Sequence, residues 1–165
     1  MIRLCLCIAL WAAPVFAQKV TLEFDEGRDF SDYKTFRLLD GAIHSRNPSL
    51  NNELVKKKIE ADIRAELTAK GLTEVAAQPD FNVRYSLGSG GRTEVDTYPA
   101  RWYGTRVVRT HYTEGTLIID LRDARKHELV WRAIAVEDQH DPLKIKDHLD
   151  SMVRKAIDKY PPKKK

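Results

Sequence analysis

Apolar and polar residues alternate at Val20, Leu22 and Phe24 against Thr21 and Glu23, the period of a half-buried strand. After the turn-rich stretch DEGRDFSDY, a second strand is predicted in KTFRLLD, with Phe36 and Leu38 on one face. Residues 40–50 read as a loop ending in Asn47, Pro48 and Ser49. Over 51–70 the period lengthens: Val55, Ile59, Ile63 and Leu67 recur every fourth residue. That is one apolar stripe along a helix, with Lys56, Lys57, Glu60 and Arg64 turned to water. Glu60 and Arg64 stand one turn apart and support the helix as an ion pair. Gly71 follows where a left-handed stop is expected. Strict alternation returns at Phe81, Val83, Tyr85 and Leu87, a third strand.

The stretch GTLIIDLRDARKHELVWRAIA (115–135) predicts a hairpin. Leu117, Ile119 and Leu121 share one face, as do Leu129, Trp131, Ala133 and Ala135. Pairing Leu121 with Trp131 and Ile119 with Ala133 keeps the apolar sets together and sets Asp120 opposite Arg132. A one-residue slip would drive polar groups into the core, so the register is well specified. Asp141 and Pro142 then open a second helix, as cap and first helical residue. Its apolar stripe is Ile145, Leu149, Met152, Val153, Ala156 and Ile157. The order β-β-α-β, a long loop with at most a short strand, then β-β-α, predicts an α+β fold. Its single sheet would hold about five or six mostly antiparallel strands, with two amphipathic helices packed on one face.

The first residues change the picture from fold to address. Arg3 precedes a short apolar run, and Val15-Phe16-Ala17 offers the small residues that signal peptidase accepts, so 1–17 read as a cleaved secretory signal. The run is too short to span a bilayer. Cys5 and Cys7 lie inside it, too early for a lipid-bearing cysteine, so no lipid anchor is expected. Cleavage would leave no cysteine, hence no disulfide, thiolate nucleophile or cysteine metal site. The expected mature chain is a single α+β domain over 18–162 with a basic tail at 163–165. The formal net charge is +4; Arg3 and the three terminal lysines account for all of it. The body is balanced, which argues against a nucleic-acid-binding face.

Candidate chemistry is sparse. Asp120 has a structural partner in Arg132, a cross-strand pair on the wetter face. Residues 123–128, including His127, form the turn. His140, Asp141, Asp147 and His148 crowd the start of the last helix but lack a His pair at ligand spacing. No G-x-S-x-G is present. No catalytic residue, metal ligand or cofactor is therefore assigned. The segment 88–112 leaves more room for function. Its Gly88-Ser89-Gly90-Gly91 run lacks the helix and lysine of a phosphate loop. It interleaves Tyr98, Trp102 and Tyr103 with Arg101, Arg106 and Arg109, a composition found at binding hot spots. The competing reading is a hairpin whose rings fold back over the sheet.

The strings DFSDYKTFRLLD, IRAELTAKGL, PDFNVRYS, EGTLIIDLRDARKHELVWRA and KYPPK together resemble the domain family of unknown function DUF4136. Ala133 stands where a glycine often follows the Trp-Arg pair. The resemblance implies export in a Gram-negative bacterium and carries no activity, cofactor or catalytic residue. The expectation is a non-enzymatic periplasmic protein that contacts an envelope protein or surface polymer through 88–112, using Tyr98, Arg101, Trp102, Tyr103, Arg106 and Arg109. The alternative is a hydrolase or metal enzyme whose His and Asp groups near 120 and 140–148 converge in three dimensions.

Overall fold

The computed structural model describes residues 18–99, 105–139 and 142–163, with the side chains of 92–114, 139 and 142 left aside. The predicted signal segment lies outside the described residues. The chain runs through β1 (Lys19–Phe24), a 3-10 turn (Phe30–Asp32), β2 (Thr35–Leu38), β3 (Ala42–His44), α1 (Glu53–Ala69) and β4 (Thr73–Glu74). It continues through β5 (Phe81–Pro99), β6 (Thr105–Asp123), β7 (Leu129–Gln139), α2 (Pro142–Asp147) and α3 (Leu149–Ile157). All seven strands form one mixed sheet in the order β1-β7-β6-β5-β2-β4, with β3 also on β5. The fold is α+β, as the pattern predicts. The strand count is higher than expected, and β2, β3 and β4 pair in parallel. With three and two residues, β3 and β4 are too short to carry a legible period.

The predicted hairpin register holds from Leu121 inward, but a shift after Leu121 sets Arg122 opposite Leu129 and buries Val130 where Leu129 was expected. Leu121 pairs with Trp131, Ile119 with Ala133 and Asp120 with Arg132. The inward residues Phe81, Val83, Tyr85 and Leu87 of β5, Leu117, Ile119 and Leu121 of β6, and Trp131, Ala133 and Ala135 of β7 are buried in one core. The helix stripes close it: Val55, Ile59, Ile63 and Leu67 of α1, with Ile145, Leu149, Met152, Val153, Ala156 and Ile157 of α2 and α3. Each such large side chain contributes about 1.5–3 kcal/mol by leaving water. All the helices therefore cover one sheet face, as expected. The last helical segment is divided, however. His148 separates α2 from α3, its N–H turning back to the Ile145 carbonyl at 3.2 Å, while its ring meets Glu137 on β7.

Helix α1 is capped at both ends, the second at the predicted Gly71. The Asn52 side chain accepts from the N–H groups of Leu54 and Val55, each at 3.1 Å, satisfying donors that a first helical turn leaves open. At the other end Gly71 has φ +85°, and Leu72 N–H reaches the Leu67 carbonyl at 3.2 Å, closing a Schellman motif. The predicted ion pair is present, Arg64 lying 3.7 Å from Glu60.

Candidate binding surface

Within segment 88–112, residues 88–99 and 105–112 are not a loop. They form the outer part of two strands of 19 residues each, paired without interruption from Phe81 with Asp123 to Pro99 with Thr105. Their alternation is illegible because glycines and charged residues replace the apolar half of the pattern. Tyr98 pairs with Arg106 and Arg109 with Val95, so three of the six predicted contact residues sit on the outer ladder. Arg101, Trp102 and Tyr103 lie outside the described residues.

The outer ladder has less support than the inner one. On the β5 side, β2 covers Phe36 to Leu38 against Phe81 to Val83, and β3 ends with His44 opposite Gly88. On the β6 side, β7 begins its pairing at Thr113. Beyond those points, among the described residues, β5 and β6 pair only with each other. Among the described residues the result is a two-stranded ribbon whose outer backbone edges pair with no further strand.

At the root of this ribbon lies a cleft of about 560 Å³, built from 43–47, Asn51 and 89–91. Short polar side chains fix its wall. Ser45 and Ser89 share a hydrogen bond between hydroxyls at 2.5 Å, and Asn51 donates to the Ser45 carbonyl at 3.1 Å. Asn47 N–H donates to Ser45 Oγ at 3.1 Å. The one charged lining residue is Arg46, exposed and without a carboxylate partner among the described residues, with the exposed imidazole of His44 beside it. Composition and periodicity did not point to this cleft, because β3 is too short to be seen and its residues meet 89–91 only through parallel pairing.

The titratable groups elsewhere have structural work. Asp123, 8% exposed, would be raised by burial. The Lys126 N–H, the Tyr33 hydroxyl, the Arg125 N–H and Arg28 outweigh that and hold it below the ordinary carboxylate range. Tyr33 Oη donates to Asp123 at 3.0 Å; burial and that carboxylate push the phenol up to about 12. Asp80 is lowered by N–H donation from Lys34, with further bonds from Thr35. It fastens β2 to the start of β5, accepting from Lys34 N–H at 2.9 Å and from Thr35 N–H and Oγ1 at 2.8 Å each. These groups line a cleft of about 220 Å³ with Arg28, Asp29, Asp32, Arg125 and Lys126, and both Asp80 and Asp123 are already bonded in it.

Among the described residues, those named for a catalytic alternative do not converge. Asp120 accepts from Arg132 through two bonds of 2.7 and 2.8 Å. It belongs to an alternating row across the sheet, Glu23 to Arg132 to Asp120 to Arg84. That row faces away from the helices. His148 lies on the helix face against Glu137, which is 3% exposed, so the sheet separates it from Asp120. His127 occupies the turn with φ 59° and is exposed. His140 and Asp141 lie outside the described residues. No group of three or more metal-binding side chains occurs among the described residues. A buried polar knot went unread in the sequence: Gln18 Nε2 donates to Glu137 and, at 2.6 Å, to Ser151 Oγ.

The family model described as a domain of unknown function, DUF4136, matches residues 20–162. The chain belongs to the DUF4136 family. No curated protein matches it. Among solved structures, a PDZ domain protein from Parabacteroides distasonis has 21% identity and a TM-score of 0.59 over 90% of this chain. The chain spans 36% of that protein. A PelC dodecamer from Paraburkholderia phytofirmans has 12% identity and a TM-score of 0.51, covering 86% of this chain and 95% of its own. At these identities the likeness is one of fold. No helix among the described residues is long and apolar enough to cross a membrane.

Proposed function

We propose that this DUF4136 protein is a non-enzymatic periplasmic module, exported by cleavage after Ala17, that binds or assembles with another envelope component. The docking element is the aromatic-basic hairpin within 88–112, with Tyr98, Arg101, Trp102, Tyr103, Arg106 and Arg109 as contact residues. The observation that carries this reading is the ribbon itself. An isolated two-stranded hairpin is at best marginally stable in water, yet here about half of two long strands leaves the sheet that supports their other half. A partner strand or surface supplies the missing support. The occupied state of Asp80, Asp120 and Asp123 speaks for structural and against acid-base roles. The dodecamer of similar fold is compatible with assembly as the mode of use.

The test is crosslinking of the protein in its own envelope, with partners identified by mass spectrometry, for wild type and a Trp102→Ala/Tyr103→Ala double variant. The expected result is one specific partner, lost in a variant whose unfolding midpoint is unchanged. Equal capture by both forms, or no specific partner, overturns the reading and directs attention to metal and substrate screens around His140 and His148.

A further inference from the structure

Gly90 and Gly91 have no internal reason to be glycine. A Cβ built on either meets nothing within 4 Å, and neither has a left-handed φ. Glycine weakens a strand interior, and where packing does not demand it, it marks a place where another backbone comes close. Beside these two residues the backbone edge of β5 is open, since β3 stops with His44 opposite Gly88 and the chain turns away at 45–51 into α1. Past Ser45, which bonds Ser89, the lane β3 would have continued along, next to 90–99, is vacant of any strand among the described residues. At the foot of that lane lies the 560 Å³ cleft, whose charged lining residue is Arg46.

These features fix a direction. A strand laid parallel to β5 would bring its amino end to the cleft, against the Arg46 guanidinium. A strand laid antiparallel brings its carboxyl end there, where Arg46 can take a carboxylate through paired N–H donors. We infer that the open edge of β5 from Gly90 takes up the C-terminal segment of a partner polypeptide as an added antiparallel strand, its terminal carboxylate seated against Arg46. Main-chain hydrogen bonds to the β5 edge supply affinity, and the carboxylate supplies register and polarity. The inference rests on the hairpin being a docking element and names what docks at its root.

The probe is a random peptide library displayed with free C-termini and selected on the purified full chain; selected peptides are then synthesised as fluorescent acids and as C-terminal amides. Amidation and Arg46→Ala should each weaken binding by about ten-fold or more, the scale of one lost charge-assisted bond. Gly91→Val should weaken binding while leaving the unfolding midpoint in place. Bound peptide should slow hydrogen exchange at amides within 90–97. The Trp102→Ala/Tyr103→Ala variant should bind the peptide normally. Failure to select any peptide, or equal affinity for acid and amide, overturns the inference. Envelope capture lost in the Trp102/Tyr103 variant but intact in Arg46→Ala would leave the hairpin as a docking element while overturning the carboxylate site.

Discussion

Between Phe81 and Leu87, β5 sends every second side chain into a core closed by α1 and α3, with β2 and β3 on one edge and β6 on the other. Beyond Gly88 the same strand pairs, among the described residues, with β6 alone. Strand geometry is equally regular in both halves, so pairing alone does not distinguish them. The difference lies in what covers the faces and edges. The body is held by apolar burial and by carboxylates locked to backbone donors. The ribbon has its ladder and an open edge, which suits a surface completed by something else.

The comparison is sharpest where the body loses a large side chain. Trp131, 1% exposed and edge-on to Tyr160 at 5.9 Å, should cost about 3–5 kcal/mol on conversion to Ala, read as a lowered urea midpoint. Asp123→Ala should cost about 1–3 kcal/mol, because the Tyr33 hydroxyl and two turn N–H groups lose their acceptor. The same groups set an acid limit. Asp80 and Asp123 are held below the ordinary carboxylate range in the folded state, so unfolding takes up protons. Their contribution is fully present above the unfolded value, near pH 4, and is lost as pH falls through the lower folded values. Urea midpoints taken from pH 7 to 2 should therefore fall in the acid range, and less steeply in an Asp80→Asn/Asp123→Asn variant.

Glycine substitutions oppose the two regions directly. A Cβ on Gly41 would stand 2.1 Å from the Tyr85 ring, so Gly41→Ala should destabilise by about 1–3 kcal/mol. A double-mutant cycle on Asp120 and Arg132 should give roughly 0.2–1 kcal/mol, reduced by salt because Arg132 keeps 31% of its side chain exposed. Gly90→Ala, with open space around it, should shift the midpoint least and upward, by at most about 1 kcal/mol. A strongly destabilising Gly90→Ala would show that the ribbon is packed like the body and remove the contrast.

Legibility followed burial. Helix α1, its Gly71 end, β1, the inner half of β5 and the Leu121 to Trp131 register could be read, because each buries one face and so imposes a period. The outer half of the hairpin could not, since residues 88–99 carry glycine, threonine and charge where alternation would show. The division of the last helix at His148 depends on Glu137, eleven positions away in sequence. Of the binding surface, the aromatic and basic composition was visible around Tyr98, Arg106 and Arg109, and the cleft at Arg46 was not.

The sequence by itself determined the family, the α+β class, the faces that pack and the one register that keeps Asp120 and Arg132 in water, because hydrophobic periodicity is a local record of burial. Only the tertiary structure decided that β3 and β4 join the sheet, that His148 and Asp120 lie on opposite sides of it, and that Arg46 stands at the foot of an open edge. Those outcomes rest on parallel and cross-sheet contacts between residues far apart in the chain, and such contacts leave no period for a sequence to display.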